Sequence, residues 1–333
     1  MKPRTLAIGL GVASTLLARR LRRGYLLRDK VPLVTGGSRE LGLVLARMLL
    51  DEGAKVAICA RDPDELGRAH SELVEHGGVV FASVCDLTDR VQIAQLVEAI
   101  KYELGPIEIV INNAGVIQVG PVDMMTLADY EVAMRTHFWA PLQVIQAVLP
   151  SMRDRGEGRI VNIASIGGKI PVPHLTPYTA SKFALVGLSE ALHTELAQDG
   201  IVVTTVCPGL MRTGSPPNAL FKGQHRAEYA WFAISDSLPL VSISAERAAS
   251  RILRALRHGE AEVVLSPIGW LGAKLHALVP GVTQWLLGAA NRLLPTSGGI
   301  GPASALGKDS GSAAAPSFAT RLSDAASARN NEL

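Results

Sequence analysis

Cysteine is scarce in this chain. Its 333 residues include only Cys59, Cys85 and Cys207, an odd number, widely separated. That excludes a disulfide-framed secreted scaffold, and no Cys/His spacing of the zinc-site kind links them, so no metal is expected. Each lies at the end of an apolar run that reads as a strand, which makes them reduced core residues of a protein in a reducing compartment. Aromatic residues are also few, at 5%. Even so, Phe221, Tyr229, Trp231 and Phe232 gather between residues 213 and 244. Net charge is low, at +3, and unevenly placed. Residues 1–30 hold eight Lys or Arg and one Asp, leaving the rest of the chain at −4. A slightly acidic body argues against nucleic-acid binding.

The apolar run near the start is short. Leu6–Ala18 gives thirteen residues, about 20 Å of helix against a hydrocarbon core about 30 Å thick. Arg19, Arg20, Arg22 and Arg23 follow it directly, a poor context for signal cleavage. Such charge keeps the following chain on the cytoplasmic side. Residues 1–28 therefore read as a basic, apolar segment lying in a membrane surface. A docking helix and a spanning or cleaved segment are the alternatives. The expected location is cytoplasmic, with peripheral attachment through this segment.

What the chain has in quantity is alternation. Apolar, β-branched-rich runs at 31–35, 55–60, 79–84, 107–111, 159–164, 202–207 and 262–265 alternate with helix-period stretches. Strands apolar on both faces, separated by helices, specify a Rossmann-type doubly wound parallel sheet of the α/β class. The expectation is a single domain over 29–266 with N-terminal helical and C-terminal extensions. Pro32 is tolerable only at a strand start. Residues 213–244, with Pro216, Pro217 and Gly223, read as a mobile lid or substrate loop. Residues 267–295 read as an apolar helical extension broken at Pro280. Its stripe Val282, Trp285, Leu286, Ala289 and Leu293 suits packing on the domain, on a twin subunit or on a membrane. Residues 296–333, rich in Gly, Ser, Ala and Pro without periodicity, read as a disordered tail.

Two local patterns carry chemistry. The first strand runs into Thr35-Gly-Gly-Ser-Arg-Glu-Leu-Gly42 and then a helix, a context in which free amides and the helix dipole favour a pyrophosphate. Farther on, Tyr178 and Lys182 stand at i and i+4, which puts phenol and ammonium on one helix face. A nearby cation favours the phenolate. Lowering a phenol by about three pKa units from about 10 takes about 4 kcal/mol, and would let Tyr178 trade a proton near neutral pH.

Thr35-Gly36 with Gly42, Asn112-Asn-Ala-Gly115, Ser165, Tyr178-x-x-x-Lys182 and Pro208-Gly209 occur in this order and at this spacing. Together they resemble the short-chain dehydrogenase/reductase family over roughly Asp29 to Leu265. The resemblance implies Tyr178 as general acid/base, Lys182 lowering its pKa and bonding the nicotinamide ribose, and Ser165 orienting the substrate oxygen. It implies a dinucleotide held by Gly36, Ser38, Arg39, Leu41 and Gly42, by Arg61, by Asp86 and Leu87, and by Asn113, Ala114 and Gly115. Tyr178, Lys182, Pro208, Gly209 and Thr213 complete that set. A homodimer or homotetramer with helix 178–196 in the interface is also implied.

Two positions depart from the family's usual pattern. Its middle loop glycine is Glu40 here, which either turns outward to an arginine or weakens dinucleotide affinity. The usual proton-relay asparagine is replaced by His137, either a substitute relay or a structural histidine. At the end of the second strand, Ala60 stands where an NAD-preferring site has an acid. Arg61 follows and Arg39 lies in the loop, so NADP(H) is favoured over NAD(H), the alternative being that both arginines form ion pairs. Asp86 reads equally as an adenine contact or a helix cap. The expected function is an NADP(H)-dependent oxidoreductase interconverting hydroxyl and carbonyl on a hydrophobic alcohol or ketone. A non-catalytic NADP-binding sensor or scaffold at a membrane is the alternative.

Overall fold

The computed structural model describes residues 24–238, 242–312, 315–317 and 320–332. The segment expected to lie in a membrane surface falls almost wholly outside them. The chain begins as an alternation: β1 Pro32–Thr35, α1 Glu40–Asp51, β2 Lys55–Ala60, α2 Pro63–Glu75, β3 Val79–Val84, α3 Arg90–Glu103 and β4 Ile109–Asn112. After the short β5 Gln118–Val119 come α4 Leu127–Met134, a π turn Arg135–Trp139, α5 Ala140–Arg155, β6 Gly158–Ile163, α6 Thr176–Glu195 and β7 Ile201–Cys207. The remainder comprises β8 Leu210–Arg212, β9 Leu220–Phe221, α7 His225–Ser237, β10 Ser242–Ser244, α8 Ala245–His258 and β11 Glu262–Val264. Beyond it lie α9 Pro267–Leu278, α10 Pro280–Asn291, β12 Ala305–Leu306 and α11 Arg321–Arg329.

Seven strands pair in parallel in the order β3-β2-β1-β4-β6-β7-β11. The chain winds outward from β1 in both directions, so a crevice opens at the carboxyl ends of β1 and β4, where such sheets bind ligands. This is the doubly wound sheet expected from the alternation. Helices α1 and α8 bury Leu43, Leu45, Leu49, Ala248, Ile252 and Leu256 on one face. Helices α3 and α5 bury Ile93, Leu96, Ile100, Val144 and Val148 on the other. Pro32 opens β1, where its missing N–H costs the ladder least. All three cysteines are free and buried.

Three segments differ from their expected form. Within 213–244, residues 225–237 form helix α7 rather than an irregular loop. Tyr229, Phe232, Ala233 and Asp236 recur at helical spacing on its buried face, and Phe221 stacks edge-on against Tyr229 and Phe232. The extension breaks at Pro280 as expected, yet its stripe is not packed on the domain: Val282, Trp285, Leu286 and Leu293 are exposed, with Trp270 and Leu278 of α9. The expected disordered tail is instead ordered over its described residues, adding β12 beside β9 and the helix α11. Its anchors are polar side chains bonded to distant backbone, which hydrophobic periodicity does not register.

Candidate active site

The expected site residues converge at the carboxyl ends of adjacent strands. Thr35 ends β1, the 112–115 turn follows β4, Ser165 follows β6 and Pro208 follows β7. The Thr35 hydroxyl accepts from the amides of Asn113 (2.9 Å) and Ala114 (3.1 Å). Asn113 Nδ2 returns bonds to the carbonyls of Thr35 (3.2 Å) and Gly36 (3.1 Å). These bonds draw the two loops so close that a Cβ on Gly36, whose φ is 63°, would lie 2.9 Å from Ala114 Cα. A Cβ on Gly42 would lie 2.1 Å from the Gly36 carbonyl oxygen. Only glycine permits this turn. The loop therefore has the cradle shape that a pyrophosphate needs at the start of α1.

Glu40 occupies that cradle in a left-handed conformation, φ 52°, a strained state for a residue with a side chain. Its carboxylate turns toward Arg39, with Nε 3.9 Å away. The Arg39 guanidinium also bonds Glu65 at 3.1 Å. Arg61 is exposed at the end of β2. Leu41 is buried in the core beneath the loop, and Leu87 packs against the apolar layer on the sheet's other face. Asp86 caps a turn: its Oδ1 accepts from the amide and hydroxyl of Thr88, both at 2.9 Å. The cap of α3 is Asp89, not Asp86.

Ser165, Tyr178 and Lys182 come together as expected. The Ser165 hydroxyl accepts from the Gly167 amide at 3.0 Å and faces the Tyr178 phenol. Lys182 Nζ donates to the Ile163 carbonyl at 2.8 Å and lies 5.5 Å from the centre of the Tyr178 ring. Burial dominates: it pushes Tyr178 up to about 12, against a smaller lowering by Ser165, and pushes Lys182 down to about 7. Desolvation is the largest influence on both groups.

His137 belongs to the π turn in which the Ala140 amide reaches back to the Arg135 carbonyl. Such a bulge rotates one residue relative to an α-helix and is common at functional sites. Here it buries His137 completely. Nε2 accepts from the Val116 amide at 3.0 Å, so the proton sits on Nδ1, which donates to Ser181 Oγ at 2.7 Å. Ser181 Oγ in turn donates to the Tyr178 carbonyl at 2.8 Å. Burial, aided by Lys182, holds the imidazole well below its ordinary pKa. Both nitrogens are engaged, and through them His137 ties the 115–116 turn to helix α6.

Sequence reasoning missed several supporting residues. Asn112, Asn162, Ser189 and Thr205 form a buried polar chain that locks α6 onto β4, β6 and β7. His174, four residues before Tyr178, takes a φ of 61° and bonds Glu228 of α7 through Nδ1 at 2.8 Å. Trp231 Nε1 donates to the same carboxylate at 2.6 Å. No local pattern announced these pairs, because each joins elements far apart in sequence. Among the described residues, no group of three His, Cys, Asp or Glu is placed to hold a metal ion.

A parallel sheet with a glycine cradle at its switch point and a Ser-Tyr-Lys set beside it defines a nucleotide-dependent oxidoreductase. The short chain dehydrogenase family pattern matches residues 30–219, and the chain belongs to that family. It is an NAD(P)-dependent short-chain dehydrogenase/reductase. A dehydrogenase/reductase SDR family protein 7-like of Anopheles gambiae is 33% identical over 288 residues, covering 84% of this chain and 88% of that protein. A putative ketoacyl reductase of Streptomyces coelicolor is 41% identical over 189 residues, covering 56% and 72%. Among solved structures, an actinorhodin polyketide ketoreductase with NADPH superposes with a TM-score of 0.64 at 32% identity, covering 71% of this chain and 95% of that one.

Proposed function

We propose that this protein is an NADP(H)-dependent oxidoreductase that reduces a carbonyl on a hydrophobic small molecule, with Tyr178 as the general acid. The observation that carries the proposal is the placement of Ser165, Tyr178 and Lys182 in one desolvated site at the carboxyl ends of β6 and β7. When bound, the dinucleotide supplies the hydride; the chain's task is the proton. A phenol held protonated by burial suits donation to a developing alkoxide, and Ser165 is placed to hold the same oxygen. Trp231, partly exposed and packed with Tyr178 on the buried cluster of Phe221, Tyr229 and Phe232, supports an apolar substrate. The test is NADPH consumption with a panel of hydrophobic ketones and thioester-linked ketoacyl chains. Turnover of at least one supports the reading; dinucleotide binding without turnover of any favours the sensor.

The NADP(H) preference rests on Arg39 and Arg61 flanking the adenosine end of the cradle, and the NADPH-bound ketoreductase relative supports it. Arg61→Ala is expected to weaken NADPH binding about tenfold or more while leaving NADH unchanged, since a charge-assisted bond contributes about 1.5–3 kcal/mol. Equal loss for both dinucleotides would contradict the assignment.

Peripheral membrane attachment through the basic N-terminal segment is part of the same proposal. No helix among the described residues is long and apolar enough to cross a membrane. The α9–α10 pair supports surface attachment: it exposes Trp270 and Trp285, and no Asp or Glu occurs from Pro267 through Lys308. Co-sedimentation of the full chain with anionic vesicles, reduced by salt, is the expected result. Phe183 of α6 and Trp139 of the π turn are exposed, in keeping with a homodimer or tetramer formed through this helix.

A further inference from the structure

The segment after residue 320 makes its most specific contacts with the dinucleotide cradle. Helix α11 lies against α7, with Ser323 Oγ donating to Asp236 Oδ2 at 2.8 Å and Ser327 Oγ to the Gly214 carbonyl at 3.1 Å. The chain then crosses the cleft. The Glu40 amide, at the start of α1, donates to the Asn330 carbonyl at 3.1 Å. Asn330 Nδ2 donates to the Thr213 carbonyl at 2.8 Å on the opposite lip. Asn331 Nδ2 bonds the carbonyls of Ser38 (2.8 Å) and Glu65 (2.9 Å), and its Oδ1 accepts from Arg68 at 2.8 Å. Glu332 is buried between Arg39 and Asn218 and faces Glu40; burial first, and then Glu40, push its carboxyl up to about 10.

We propose that residues 320–332 form a strap that occupies the dinucleotide cleft, so that strap and dinucleotide bind in mutual exclusion. This rests on the dinucleotide reading of the cradle given above. The Glu40 amide is among the donors that a pyrophosphate would use at this helix start, and here it is spent on Asn330. The Glu332 carboxyl packs beside Arg39 and Glu40, in space that a pyrophosphate at this helix start would need. Ser38, Arg39 and Thr213, all expected cofactor contacts, are covered by the strap. Its grip is polar: Ser, Ala and Asn fill the contact, and Leu322, its one described large apolar residue, is half exposed. An attachment held by hydrogen bonds rather than by apolar burial is displaceable by a ligand that bonds the same groups.

The test uses the full chain and reads binding rather than turnover. NADPH is titrated into wild type and into Asn330→Ala/Asn331→Ala, which removes five of the strap's side-chain bonds, that from Arg47 to Asn330 Oδ1 included, and amide hydrogen exchange is followed across 320–332 with and without NADPH. Affinity at least tenfold tighter in the double variant is expected, with faster exchange of the wild-type strap once NADPH is added. Equal or weaker affinity in the variant, or a strap that becomes more protected with NADPH, would overturn the strap while leaving the dinucleotide reading intact. Failure of both proteins to bind either dinucleotide would overturn the two together.

Discussion

Lys182 donates to the carbonyl of Ile163 at 2.8 Å, which fixes the ammonium beneath the Tyr178 ring in a nearly dry pocket. That single bond is little compensation for a buried charge, and the amine is pushed down to about 7. The folded state therefore holds the Lys182 proton less tightly than the unfolded chain does. Stability from this site is fully present only above the unfolded value near 10, and is lost as pH falls toward 7, at about 1.4 kcal/mol per unit. Lys182→Met is expected to raise the melting temperature at pH 7 by about 2–4 °C per kcal/mol recovered, while abolishing turnover. Thermal scans at pH 7 and pH 10 check this; a variant less stable than wild type at pH 7 would contradict it.

Burial acts on His137 in the same direction. Neutral and doubly bonded, it cannot take up the proton that the unfolded chain binds below about 6.5. Its contribution is full above that pH and is lost on acidification. Replacing it with asparagine, the residue usual in the family, is expected to cost about 1–3 kcal/mol at pH 7.5 from the unsatisfied Val116 amide and Ser181 hydroxyl. The gap should narrow from pH 6.5 to pH 5. Denaturant midpoints at the two ends of that range measure it, and a constant gap would mean the imidazole titrates freely.

Asp236 gives the reverse slope. Burial raises its carboxyl to about 7, with Ser323 and the Met211 backbone bonding it, Arg212 lowering it and Glu40 raising it. The folded state keeps a proton that the unfolded chain releases near pH 4, so stability is highest below that and declines as pH rises to about 7. Asp236→Asn removes the charge and should flatten this part of the stability curve, with a net gain above pH 7. A profile that keeps its slope in the variant would place the titrating group elsewhere.

The sheet was legible because its strands are apolar on both faces and its helices periodic, both short-range signals. The Ser165, Tyr178 and Lys182 set was legible because its members fall within eighteen residues. The degree of desolvation was not: i,i+4 spacing puts Lys182 near Tyr178, but desolvation depends on what packs around them. Helix α7 was read as a loop because Pro216, Pro217 and Gly223 precede it and obscure the spacing of Tyr229 and Phe232. The strap was hidden because Asn330 and Asn331 act through single amides on carbonyls 117 to 293 residues away.

The most direct measurement compares wild type and Tyr178→Phe for NADPH-dependent reduction of a ketone that the wild type turns over, with NADPH affinity determined for both. The account requires a loss of about 100-fold or more in kcat, the size of a missing proton donor, with NADPH affinity nearly unchanged. Comparable turnover by the two proteins would contradict it, because the proton would then be coming from a group other than Tyr178.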